Sequence, residues 1–266
     1  MIKLDKKYFI LIFILIIGFI LSQNYPQSTE INIVGSTSVQ PVCEQLAQSY
    51  MESHHNVTIN IQGGGSNFGI RSLESDIADI GMCSMELEND YNLTVHELGH
   101  EGIVIAVNPA NNVTNLTDYQ LQQIYSGNIT NWQEVGGENK TIAVLTREEG
   151  SGTLTAFKKL IMGGNEITQN AIVLNSQGSL KQAISQNPDA IGFVSYSYLD
   201  GSVNALAING IYPTMDSIAN GSYMLQRPFL LLTNGEANNQ TQDFLIWLNS
   251  SDATQILNQN RIVRGV

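Results

Sequence analysis

The chain has 266 residues, 42% of them hydrophobic, enough to bury one large core or two modest ones and too apolar to be disordered as a whole. Its 12 Lys and Arg face 24 Asp and Glu, and the net charge of −12 excludes the positive field that collects nucleic acid. Any anion site on such a chain must work through short-range, pre-aimed donors rather than long-range attraction.

Lys3, Lys6 and Lys7 precede an apolar run from Tyr8 to Leu21, the pattern of an export signal. The run is shorter than the ~20 residues of a comfortable membrane helix. No cysteine follows it to carry a lipid, and no clear small-x-small cleavage site closes it. Residues 1–28 are therefore expected to be a cleaved signal or an uncleaved N-terminal anchor, with Ser22 to Thr29 as a polar tether. Nine Asn-x-Ser/Thr sequons begin at Asn56, Asn92, Asn112, Asn115, Asn128, Asn139, Asn220, Asn239 and Asn249, which suits a glycosylated surface protein. Cys43 and Cys83 are the one possible disulfide pair, which export permits without requiring.

In the body, Ile31 to Val34 reads as a strand, the polar loop from Gly35 to Ser38 follows, and Pro41 opens a helical pattern up to His54. Val57 to Ile61 alternates as a strand, Gly63 to Ser66 breaks it, and a helix runs through Ile70 to Leu73. Ala78 to Met82 is a third short strand, ending in a turn at Ser84. Gly102 to Val107 predicts a buried strand, Thr117 to Tyr125 a helix with a Thr-x-x-Gln cap, and Thr141 to Leu145 another strand. That strand delivers Arg147 and a glycine–hydroxyl loop, Gly150 to Thr153, from which Leu154 to Met162 continues as a helix. Helix is expected over Ser179 to Ser185, strands over Ile191 to Val194, Asn204 to Ile208 and Phe229 to Thr233, and one closing helix over Thr241 to Asn258. Alternating strands and helices indicate an α/β chain with mostly parallel sheets.

Four times, at Gly35 to Ser38, Gly63 to Ser66, Gly81 to Ser84 and Gly150 to Thr153, a strand ends in a loop dense in glycine and hydroxyls. Unpaired N–H groups at a helix start attract anions, glycine allows close approach, and Ser or Thr adds donors without charge. In parallel sheets such loops gather at the carboxyl ends of the strands. Arg147, one of few cations in the body, adds a guanidinium suited to clamping an oxyanion; otherwise it would be a surface ion pair with Glu148 or Glu149.

In this order, GSTSVQP at 35–41, QGGGSNFGI at 62–70, ADIGMCS at 78–84, GNITNW at 127–132, REEGSGT at 147–153 and IGFVSYSYL at 191–199 resemble the phosphate-binding proteins of bacterial and archaeal phosphate ABC transporters. The resemblance covers nearly all of residues 31–266. It implies a two-lobed α/β solute-binding fold, type II periplasmic-binding-protein-like, with crossover hinge strands closing on the ligand. Carried over by motif position, Thr37, Ser38, Ser66 and Asp79 from one lobe and Arg147, Ser151, Gly152 and Thr153 from the other would hold phosphate. Asp79 would accept the proton that phosphate carries and sulfate lacks. Where the family has a small residue and an arginine, this chain has Cys83 and Met85, so one supporting cation is expected to be missing. The lobes are expected at 29–106 with 201–266, and at 107–200.

The resemblance further implies a monomer at the extracellular face of the cytoplasmic membrane, secreted or anchored, that hands phosphate to permease subunits without a cofactor or metal. Other readings are a binding protein for tungstate or molybdate, a surface phosphate sensor, and a zinc peptidase built on His96-Glu97-x-x-His100. The peptidase motif needs a helix, which Gly99 and Gly102 interrupt, and an unlinked pair of surface histidines is the favoured reading.

Overall fold

The computed structural model describes residues 29–87 and 91–265. The expected export segment, 1–28, lies outside them; among the described residues no helix is long and apolar enough to cross a membrane.

The first three strands, β1 (Thr29–Gly35), β2 (Val57–Gly63) and β3 (Ile80–Cys83), lie parallel in the order β2-β1-β3. Helix α1 (Gln40–Ser53) links β1 to β2, with Pro41 in its first turn and Val42, Cys43, Leu46, Ala47 and Tyr50 on its buried face. Helix α2 (Ser66–Glu74) links β2 to β3 and covers the other side of the sheet through Ile70 and Leu73. Gly35 permits the tight packing where β1 ends: its φ is 137°, and a Cβ there would stand 2.3 Å from the carbonyl oxygen of Met82.

Strand β4 (Thr94–Val107) is much longer than the sequence pattern suggests. Its first part pairs antiparallel with β11 (Gln226–Thr233) and its last five residues pair with β8 (Ala190–Ser195), so it carries the chain from one wing of the sheet to the other. Strand β11 carries it back and pairs antiparallel with β3. In the second wing β6 (Ala143–Arg147) lies parallel to both β8 and β7 (Ile172–Leu174). The parallel pairing expected from the alternation thus holds inside each wing, while the two crossover strands are antiparallel.

On one face of the second wing sit α3 (Asp118–Tyr125), capped by Thr117 and Gln120 as its sequence requires, and α4 (Gly152–Phe157), which continues as a π-helical turn to Met162. Helix α5 (Gln177–Gln186) covers the opposite face through Leu180 and Ile184. Short strands β5 (Asn115–Leu116), β9 (Asn204–Ala205) and β10 (Ala207–Ile208), with α6 (Met215–Ala219), complete this wing. Leu206, Ile208, Ile218, Tyr223 and Leu225 belong to the apolar cluster of Ile105, Leu121, Phe157 and Phe193. The expected lobe limits at 106 and 201 therefore shift: by packing, residues up to 225 stay with the second lobe, and the return crossing begins at Gln226. Two-residue strands carry no sequence signal of which sheet they join.

The closing helix is two helices, α7 (Asn239–Trp247) and α8 (Ser251–Gln259). Asn249 and Ser250 compete for backbone bonds: the Asn249 side-chain amide donates to the Ile246 carbonyl at 3.4 Å, and the Ser250 Oγ accepts from the Ala253 N–H at 3.2 Å, starting a new helix. The break lets Phe244, Leu248 and Leu257 face one core.

Both cysteines are buried and unpaired, so the possible disulfide is not formed. Burial pushes both thiols up. Neither should react with a thiol reagent in the native protein, and both should do so on full denaturation. A second test is Gly35→Ala, expected to lower unfolding stability by about 2 kcal/mol or more through the clash and the positive φ. Gly164→Ala, at positive φ but with open space around it, should cost only about 1 kcal/mol in urea denaturation.

Candidate functional site

The carboxyl ends of β1, β2, β3, β6 and β8 point at one another, so the loops that follow them form a single polar cluster between the lobes. From the first lobe, the Ser36 Oγ donates to the Ser84 Oγ at 2.8 Å, and the Ser84 N–H donates to the Ser66 Oγ at 3.1 Å. From the second, Ser151 caps α4 by accepting the Leu154 N–H at 3.4 Å, which leaves the first-turn amides of Gly152 and Thr153 without an intrahelical acceptor. The two sets touch. The Ser38 and Thr153 hydroxyls are 3.0 Å apart, the Asn67 N–H donates to the Gly150 carbonyl at 3.1 Å, and the Tyr198 hydroxyl donates to the Thr37 carbonyl at 3.0 Å. Burial, with Glu101 adding to it, pushes the Tyr198 phenol up to about 12, which keeps it a donor. At Gly152 the approach is so close that a Cβ would fall 2.3 Å from the Ser66 Oγ and 2.7 Å from the Ser84 Oγ.

Arg147 crosses the gap. Its Nε and Nη2 form a fork on Glu148, both at 2.9 Å; Nε also donates to the Leu174 carbonyl at 3.2 Å and Nη2 to the Thr37 Oγ1 at 3.2 Å. The ion pair weighed from the sequence is present, but it is not a surface pair: the Arg147 side chain is 1% exposed. Its Nη1 is buried and has no partner among the described residues. A buried guanidinium donor left open is costly unless something accepts from it.

The structure thus gathers Thr37, Ser38, Ser66, Arg147, Ser151, Gly152 and Thr153, as the sequence led one to expect. Asp79 does not join them. It precedes β3, at the opposite end of the strand from Ser84: its Oδ2 accepts the Asn32 N–H at 2.8 Å and its Oδ1 accepts from Asn238 at 3.3 Å. Binding loops in a parallel sheet follow their strands, so a residue before β3 ties β1 to β3 and cannot read a ligand proton. Asp79→Asn should leave anion affinity unchanged while lowering stability by about 1 kcal/mol, as titration and urea unfolding would report.

Four participants escaped the sequence reading. Gln177, the first residue of α5, donates to the Thr153 Oγ1 at 2.9 Å and accepts the Ser195 N–H at 3.1 Å. Ser195 ends β8 and accepts from Arg227 at 2.7 Å. Arg227, on β11, and Glu101, on β4, face each other in register as a fully buried pair, 3.5 Å apart. Burial pulls the Arg227 guanidinium down to about 10, with Glu101 opposing, and raises the Glu101 carboxyl, with Arg227 opposing. The cation that Met85 fails to supply therefore has a counterpart in Arg227, while Met85 is buried among Ile70, Leu73 and Leu230. A single charged residue before an apolar strand was the only local sign of Arg227.

The zinc-peptidase motif lies on a strand. Leu98 bulges out of the β4–β11 ladder, the His96 Nε2 sits 3.3 Å from the Thr233 Oγ1, and the His100 Nδ1 is 3.3 Å from Glu97. No cluster of metal-ligating side chains occurs among the described residues.

Comparison with known proteins agrees with this arrangement. The PBP superfamily domain matches residues 22–252. The phosphate-binding protein PstS of Bacillus subtilis (strain 168) is 32% identical over 231 residues, covering 85% of this chain and 77% of its own. A phosphate ABC transporter substrate-binding protein assigned in Clostridium perfringens, solved with bound phosphate, shares 33% identity and a TM-score of 0.87, covering 90% of this chain and 100% of its own. An ABC-type phosphate transport receptor from Vibrio cholerae shares 39% identity and a TM-score of 0.74, covering 88% and 100%.

Proposed function

Because the chain belongs to the PBP superfamily and, within it, to the phosphate-binding proteins, we propose that the interlobe cluster is its phosphate seat and that the protein delivers phosphate to an ABC importer. The observation that carries this reading is the open, buried Nη1 of Arg147 among hydroxyls drawn from both lobes. Each guanidinium has its own carboxylate, Arg147 with Glu148 and Arg227 with Glu101, so the cluster is nearly neutral when empty. An arriving anion is held by hydroxyls, by the first-turn amides of α4 and by the open guanidinium edge, not by a net positive field. Since Thr37, Ser38 and Ser66 come from one lobe and Arg147, Ser151, Gly152 and Thr153 from the other, only the closed form offers all of them, and the ligand shifts the population toward closure.

The donors themselves suit any tetrahedral oxyanion. With Asp79 outside the cluster, the rejection of sulfate argued from it loses its basis. Isothermal titration of ligand-stripped protein should show tight one-to-one binding of phosphate, with tungstate and molybdate weaker; preference for either metal oxyanion would overturn the assignment. Arg147→Ala should weaken phosphate binding by about 100-fold or more, the loss expected for a buried charge-assisted contact. Gly152→Ala should do the same by obstructing closure without lowering the melting temperature.

The reading extends to the cell surface. We propose export, with the N-terminal segment either removed or retained as an anchor, and N-glycosylation at the nine sequons, whose asparagines are all exposed. None lies in the loops that form the cluster. The intact mass of protein taken from its native cells decides both points, since processing shortens the chain and each glycan adds a discrete increment. A mass equal to the full unmodified chain would exclude both cleavage and glycosylation.

A further inference from the structure

Thr153 sits at the meeting of three hydrogen-bonding neighbours. The Arg227 Nη1 donates to its Oγ1 at 2.7 Å, the Gln177 Nε2 donates to the same oxygen at 2.9 Å, and the Ser38 Oγ stands 3.0 Å away. A hydroxyl has two lone pairs and one proton. Arginine cannot accept, and the Gln177 amide is oriented by its carbonyl, which accepts the Ser195 N–H at 3.1 Å. With both lone pairs of Thr153 taken, its proton is all that remains for the third neighbour. The heavy atoms of the Ser38–Thr153 contact leave its direction open, but the surroundings fix it: Thr153 donates.

Arg227 is itself rigidly placed. Its Nη1 also donates to the Ser84 carbonyl at 3.1 Å, its Nη2 donates to the Ser195 Oγ at 2.7 Å, and Glu101 faces it across the crossover strands. One guanidinium therefore links Ser84 of the first lobe to Thr153 and Ser195 of the second.

We infer that Arg227, together with Gln177, is a positioning residue that holds the Thr153 hydroxyl as an obligate donor, so that this seat gives a proton to an oxygen of the anion, in place of Ser38, and cannot accept one from a P–OH group. Arg227 then sets affinity through Thr153 without touching the ligand. The inference rests on the phosphate reading above. It adds that the proton of a P–OH group must be directed away from Thr153.

The test is a double-mutant cycle read by phosphate titration, with melting temperature recorded for every variant. Thr153→Val removes the donor and should weaken binding about 30-fold, and Arg227→Lys, which keeps the charge but loses the fork, about 10-fold. Combined, they should weaken binding by clearly less than the product of the two separate losses, because the part of the Arg227 effect that passes through Thr153 is already gone. Arg227→Met should lose more than Arg227→Lys. Losses that multiply, or wild-type affinity in Arg227→Lys, would overturn the inference. Should Arg227→Lys fail to fold, the same cycle with Gln177→Met decides, and non-additivity with Thr153→Val is again the expected result. A wild-type protein silent toward phosphate would instead remove the phosphate reading, and this inference with it.

Discussion

A guanidinium taken out of water must have its donors met, and at Arg147 the protein meets those of Nε and Nη2 and leaves both N–H groups of Nη1 open. Glu148 fixes the plane of the group, Leu174 and Thr37 take further N–H bonds, and Nη1 is left buried without a partner among the described residues. The rest of the structure serves that arrangement. Burial raises the strength of each remaining donor, and the fork prevents the side chain from relaxing to satisfy itself. A chain of net charge −12 can hold an anion in this way because the interaction is local.

The sheet explains how the donors come to one place. Parallel strands in each wing send their following loops in a common direction, and antiparallel β4 and β11 set the wings so that the two groups of loops meet. Arg227 and Glu101 lie on these crossover strands, at the point where the chain passes between lobes. A buried ion pair adds little net stability, since desolvation offsets attraction. Here it holds a fixed geometry next to Thr153, Ser84 and Ser195. Glycine has a matching role: at Gly152 and Gly35 any side chain would occupy the space through which the loops and strand ends approach.

Two sequence features that invite a chemical reading are absorbed by the fold. The His-Glu-x-x-His run lies in β4, where successive side chains alternate across the sheet and a bulge at Leu98 shifts the phase, so the one-face geometry of a helical zinc motif does not arise. Asp79 closes the start of β3 against β1 through Asn32. Both cases follow one rule. The chemistry available to a residue depends on which end and which face of its element it occupies.

Much of this protein is determined by short-range sequence chemistry. Loops rich in glycine and hydroxyls after β-rich runs, the Thr117–Gln120 capping box, the order of strands and helices, and the donor sets at 36–38, 66 and 147–153 are legible because turns, caps and periodicity depend on residues a few positions apart. Tertiary structure alone decided what depends on distant pairing. It placed residues 203–225 with the second core, split the closing helix at Asn249 and Ser250, and lengthened β4 into a crossover. It also brought Gln177, Ser195 and Arg227 to Thr153 from positions 24, 42 and 74 residues further along, as the numbering shows. No local pattern encodes those meetings, because they are fixed by strand register and by which apolar faces find each other in the folded chain.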